Sequence, residues 1–433
     1  MNDSTIRILS LATALLSASS AAAPPAVAQD RPLPADFAEV YRAGGVTAPD
    51  WAQFSTPTGL AFDGSGNLYV LDPQLFQVVV IDRNGELVRT VGRQGGGPGE
   101  FNIPMAQVVW RDGRFAVADM GHNAYQLFDP DGELLRFVKM SEGQGPMAGF
   151  SSVRSAIRPD PDGGALVAQG TPGMMSRMSG LIAQATGADE EPGIDDRGLE
   201  RVDLGGDMVS ATRILQAWSP PEDGPAAPMT VETAMDPSRM AEMIVGEERF
   251  FEPQLIWDVL PDGTIAYSDS SAYSIELVGR EGAAVSVLSR PIQPEGVTRG
   301  IRAAMIEEEL RQFEEESTNA SGPMADLGAL VPSGMMDAVR DALEKRDFFE
   351  EIPVVRGLKA TWNGALWIQR RGDDPWDNAG PIDVFDAAGE YAGTLPQAEM
   401  PAAFGPDGLA AYVERDEFDV PTIVVRRLPA EVR

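Results

Sequence analysis

Short apolar runs separated by glycine-containing turns dominate the chain from Thr56 onward. Thr56 to Gly92 reads TPTGLAFDGSGNLYVLDPQLFQVVVIDRNGELVRTVG. Ile103 to Met140 reads IPMAQVVWRDGRFAVADMGHNAYQLFDPDGELLRFVKM. Each segment holds an apolar strand, a tight turn, a second strand ending in Asp, a loop, a third strand, another tight turn and a fourth strand. Asn-Gly and Asp-Gly supply the positive φ values that tight hairpins need. Four antiparallel strands in about 40 residues make one propeller blade.

The first turn recurs in six copies, as GSGNLYV at Gly64, RDGRFAV at Arg111, PDGGALV at Pro161, PDGTIAY at Pro261, WNGALWI at Trp362 and PDGLAAY at Pro406. The second turn is read near Gly85, Gly132, Gly198, Gly282 and Gly389. The sixth copy stops after its third strand, Thr422 to Leu428. Phe37 to Arg42 occupies the place of a fourth strand with no first three before it. The pattern therefore predicts an all-β, six-bladed β-propeller. Residues 37–45 hold the strand that completes the last blade, which removes two open sheet edges.

VRTVGRQGGGPGEF, FAVADMGHNAYQLFDPDGELLRF and LYVLDPQLFQVVVIDRNGEL resemble NHL repeats. The whole pattern is similar to the bacterial exported six-bladed β-propeller family. The resemblance is clearest over the first two blades, looser over the last three, and degenerate in the third. It implies the fold and export. The family is defined by architecture, so no reaction is implied.

Two stretches interrupt the array. Residues 209–252 read as a loop insertion, with the Pro-rich run SPPEDGPAAP at Ser219 and a short helix at Pro237 to Val245. Residues 293–351 read as a helical insertion between blades four and five. Ile301, Met305, Leu310 and Phe313 give one helix an apolar stripe, with Thr298 as N-cap. Met335, Val339 and Leu343 give a second helix its own, with Ser333 as cap. Ile301 to Glu351 carries 13 acids and 5 bases, a net −8. Such runs are commonly a solvated helix face.

Composition narrows the function. The 433 residues carry 66 acids against 34 bases, a formal −32, with 43% hydrophobic content. That surface repels phosphate backbones, which excludes nucleic acid as a partner, including the RNA bound by some NHL modules. No cysteine is present, so disulfides, thiolate zinc sites and a cysteine nucleophile are excluded. His122 is the single histidine, too few for a three-histidine zinc site or a zinc lyase. Arg7, the apolar run Ile8 to Leu16 and Ala26-Val27-Ala28 read as a signal peptide over residues 1–28. No stretch is long enough to span a bilayer, so membrane insertion is not expected. The mature chain is expected to be a periplasmic or extracellular monomer.

Chemistry is sparser. In a propeller, the loops joining second to third strands share a face with the crossovers between blades. Here that face collects Asp72, Asp119, His122, Asn123, Asp269, Tyr273, Arg371, Asp373, Asp374, Trp376 and Asp416. Asp72, Asp119 and Asp269 recur at the end of the second strand and are the candidate metal ligands, for calcium. The simpler reading is that each Asp caps its own loop. Asp119, His122, Asn123, Tyr273, Arg371, Asp374 and Trp376 are the candidate ligand contacts. His122 beside Asp119 has the form of a general base, but no nucleophile stands next to it. Trp376 is a candidate binding anchor. The glycines of GRQGGGPGEF, Gly92 to Phe101, precede a strand and not a helix, which fits a crossover better than a phosphate cradle.

These features fit a non-catalytic binding module for a protein, peptide or glycan, with no cofactor required. The alternative is a calcium-dependent, lactonase-like hydrolase with its site at the central channel. Processing is directly testable. Mature protein from the native host is expected to begin at Gln29, and mass spectrometry finding Met1 retained on folded protein would overturn the assignment.

Overall fold

In the computed structural model, residues 29–143, 154, 156–170, 196–220, 236–246, 248–319 and 334–433 are described. The expected signal peptide and the expected Ser333 cap lie outside them. Six four-stranded antiparallel sheets follow one another along the chain, each with its strands in sequence order. The last is the exception. Its order runs from Ala403–Phe404 through Leu409–Arg415 and Pro421–Arg427 to the N-terminal strand, Ala38–Gly44.

The first turn forms as its sequence requires: its glycines in all six blades, among them Gly113 (φ 88°) and Gly364 (φ 91°), sit at positive φ. The third blade differs from expectation. Gly198 is not in a turn but begins the third strand, Gly198–Asp203. The hairpin is Leu204 to Val209, and Ser210–Gln216 is the blade's fourth strand. The loop insertion therefore starts after Gln216, not at Val209. DRGLERV has the letters of a turn, but its glycine pairs with Gln216 in the ladder.

The core is divided into wedges. One apolar cluster fills each gap between neighbouring blades. Tyr69, Val80, Phe101, Phe115 and Phe128 fill that between blades one and two, with Phe115 and Phe128 stacked at 4.7 Å. Indoles cross other gaps: Trp110 Nε1 donates to Ala165 O, Trp257 to Gln169 Oε1 and Trp367 to Val432 O. The cluster between blades six and one contains Tyr41 and Ala43 from the closing strand, with Ile423 and Val425 beside them.

The two insertions form a seventh cluster. Helix α1 is Pro237–Val245, α2 is Arg299–Asn319 and α3 is Met335–Lys345. Asp236 caps α1, and Thr298 Oγ1 accepts from Ile301 N at 3.3 Å to cap α2. Ile301, Met305, Leu310, Phe313, Met335, Val339 and Leu343 pack with Phe250, Phe251 and Ile352 into one small core. Both insertions lie in crossovers between blades, so the helices form one cap on the crossover face.

Removing the closing strand tests the ring. Deleting residues through Gly45 is expected to lower stability by about 4 kcal/mol or more, from lost Tyr41 burial and unpaired backbone groups. Urea unfolding reads this, and unchanged stability would refute closure.

Candidate functional site

The inner strands of all six blades wall a central channel of about 460 Å³. Its lining includes Thr58, Met105, Arg158, Asp258, Lys359 and Trp362. Ion pairs and hydrogen bonds organise the wall between blades three, four, five and six. Arg158 Nε donates to Asp258 Oδ1 at 2.8 Å. Asp258 Oδ2 accepts from Ala360 N at 2.8 Å. Next to Ala360, Lys359 Nζ donates to the carbonyls of Pro401 (2.6 Å) and Ala402 (2.7 Å). Burial pushes the Lys359 ammonium down to about 8, and repulsion from Arg158 adds to the shift.

At the hairpin end, the Arg111 guanidinium reaches across from blade two and lies 4.5 Å over the Trp362 ring of blade five, on the opposite side of the ring. Gln107 Nε2 bonds the carbonyls of Gly59 and Tyr69, tying blade two to blade one within the wall. The Arg111–Trp362 contact thus spans the channel at its hairpin end.

The candidates read from sequence fall in three other places. Asp72 and Asp119 are fully buried and are consumed by backbone amides. Asp72 accepts from Ser55 N (2.6 Å) and Thr56 N (3.2 Å). Asp119 accepts from Asn102 N and Ile103 N, both at 2.9 Å, and from Gln126 Nε2. Asp269 accepts from Trp218 N at 2.7 Å. Each carboxylate thus holds the crossover entering its own blade. Sitting on blades one, two and four, the three do not converge, and no group of three His or acidic side chains able to hold a metal occurs among the described residues. His122 Nδ1 lies 2.8 Å from Asp119 Oδ2, and its Nε2 is buried without a partner among the described residues. Asn123 ties down Ser141.

Tyr273 is buried in the wedge between blades four and five, its phenol pushed well above the usual range by burial and by Asp383. Arg290 and Arg370 pair there with Asp383, and both also bind Asp30, pinning the residues that begin at Gln29. Trp376 packs on the helical core, Arg371 pairs with Glu295 at 2.8 Å, and Asp374 O closes a turn with Asp377 N. That loop braces the cap, with Trp376 half-buried against it. The exposed Asp373 and Asp374 remain solvated. In the Gly-rich crossover, Glu100 Oε2 accepts from Gly97 N at 2.8 Å, so the loop folds on its own carboxylate.

No family model matches the chain, and no curated protein matches it in sequence. Among solved structures, an exported-protein candidate from Bacteroides fragilis is 10% identical, covering 91% of this chain and 96% of its own, at a TM-score of 0.46. A gluconolactonase from Xanthomonas campestris is 12% identical, covering 94% and 99%, at 0.40. A streptogramin B lyase is 12% identical, covering 89% and 98%, at 0.37. Likeness at this level carries no argument about chemistry; the six-bladed architecture rests on the strand order itself. No described helix is long and apolar enough to cross a membrane.

The role of Asp119 is open to a direct test. Asp119→Ala strands two backbone amides and is expected to cost about 3 kcal/mol in urea unfolding. The loss is expected to be the same in EDTA and in calcium. A deficit seen only with calcium would instead make the carboxylate a metal ligand.

Proposed function

We propose that the protein is an exported, non-catalytic binding propeller, whose central channel receives the end of a peptide or glycan chain. The observation that supports this most is the 460 Å³ channel with Arg158, Asp258 and Lys359 on its wall. Its size falls within the range of about 300–1,000 Å³ usual for ligand sites and is too small for a folded partner. The paired ions on the wall suit hydroxyl and carbonyl groups better than hydrocarbon. Export is supported by the A-x-A segment before Gln29, and an NHL-type relationship by the motifs of the first two blades.

The helical cap fits this reading, since the crossover face that carries it is the end of the channel away from the Arg111–Trp362 contact. Its α2 surface is acidic, with Glu307, Glu308, Glu314 and Glu315. The cap would therefore disfavour acidic chains at that end of the channel.

A panel of neutral oligosaccharides and short extended peptides, read by thermal shift, tests the proposal. A bound member at about 100 times its Kd is expected to add about 2.7 kcal/mol to stability. Thr58→Trp, which narrows the channel mouth, is expected to abolish that gain. A shift that survives the substitution would move binding elsewhere. A rise in melting temperature produced by calcium alone would favour the lactonase-like alternative.

A further inference from the structure

The protein is almost free of lysine. Of its 34 basic residues only Lys139, Lys345 and Lys359 are lysines, and the rest are arginine. Lys139 and Lys345 are exposed. Lys359 alone lines the channel. The other cations lining the channel, Arg111 and Arg158, are arginines. The two side chains differ in one property that matters here: an arginine keeps its proton, whereas a desolvated lysine can lose it.

The surroundings of Nζ are compatible with that loss. No carboxylate bonds it; its two partners are the carbonyl oxygens of Pro401 and Ala402. Those two acceptors match the two N–H groups of a neutral amine, which leaves the lone pair unengaged by them. Asp258, the nearby acid, is committed to Arg158 and to Ala360 N. The amine thus sits on the wall of a cavity large enough for a small ligand, without a paired counter-ion.

We propose that Lys359 captures an aldehyde or ketone ligand covalently, as an imine. This rests on the channel being the ligand site. The Nζ lone pair attacks the carbonyl carbon and forms the C–N bond. The carbonyl π pair moves to oxygen, which takes up the proton released from nitrogen and gives a carbinolamine. Protonation of that hydroxyl and loss of the remaining N–H proton expel water and leave the C=N bond. No oxidant or reductant is consumed, and hydrolysis reverses the step. The open-chain end of a reducing sugar is one ligand of this class, which joins the inference to a glycan-binding channel.

The lowered proton affinity sets the pH dependence. Lys359 is neutral above about pH 8, whereas an exposed lysine stays protonated until about pH 10.4. Capture therefore rises with pH through about 8 and then levels, while the exposed lysines continue to gain.

The experiment uses the processed, full-length protein with glyceraldehyde and cyanoborohydride, which fixes any imine as a stable amine. Peptide mass spectrometry then compares the three lysines, with the α-amino group scored separately. At about pH 8 Lys359 is expected to be labelled on the order of tenfold faster than Lys139 or Lys345, because its neutral fraction is about 100-fold higher. Urea-unfolded protein should lose the preference. Thr58→Trp should slow labelling of Lys359 alone. Lys359→Arg should remove the third adduct while the melting temperature stays close to that of the parent. Labelling of Lys359 no faster than that of the exposed lysines would overturn the proposal. If Lys359 is inert while neutral oligosaccharides or peptides still bind the channel, only the covalent step falls. If neither occurs, the channel reading falls as well.

Discussion

Everything in this molecule depends on the pairing of Ala38–Gly44 with Pro421–Arg427. A propeller has no single core. Its apolar surface is divided among wedges, and each wedge exists only while the two blades flanking it are held side by side. The closing pair supplies the last blade's fourth strand and, with Tyr41 and Ala43, part of the wedge that joins the ends of the chain. Gly44 marks how tightly it fits: at φ +127°, a side chain there would press on the Pro421 carbonyl at 2.7 Å. Without this pair the sixth sheet has a bare edge, and the wedge between blades six and one loses Tyr41 and Ala43.

Closure then fixes where function can sit. Six inner strands facing one axis leave a channel whose walls come from residues far apart in the chain. Asp258 illustrates the result, since one carboxylate bonds Arg158 of blade three and the backbone of blade five. Such a carboxylate is better understood as a fastener between blades than as a charge available to a ligand. The same holds for Asp72, Asp119 and Asp269, each spent on backbone amides. Acids also cap the hairpin turns: Asp82, Asp129 and Asp386 each accept from two amides of their own turn. Some of the chain's acids therefore serve the turns and crossovers of the fold as well as its surface charge.

The legible parts of the fold were those carried by local pattern. The hairpin glycines fixed blade count, and apolar spacing located the two described helices of the second insertion, with Thr298 capping the first. The misreadings share one cause. DRGLERV looks like a turn, but its backbone is taken by ladder pairing with Ser210–Gln216. Trp376 looks like an exposed anchor because its loop is polar, but it packs, partly buried, against the helical core. In both cases a partner distant in the chain overrode a local signal. Lys359 was missed for a related reason. It sits in an ordinary alternating strand, GLKAT, and only its scarcity as a lysine could have drawn attention to it.

The sequence by itself determined the repeating unit, the permuted closure, the helices and the excluded chemistries, because each follows from short-range periodicity or from the presence or absence of a residue type. The tertiary structure alone decided which side chains meet. It spent the recurrent aspartates on the crossovers of their own blades, joined two separate insertions into one cap, and set Arg111 of one blade over Trp362 of the blade opposite. It also half-buried Lys359 near Arg158. The physical reason is that hydrogen bonding in turns and helices is satisfied within a few residues. Burial, ion pairing and proton affinity depend on what the closed ring brings within a few ångströms.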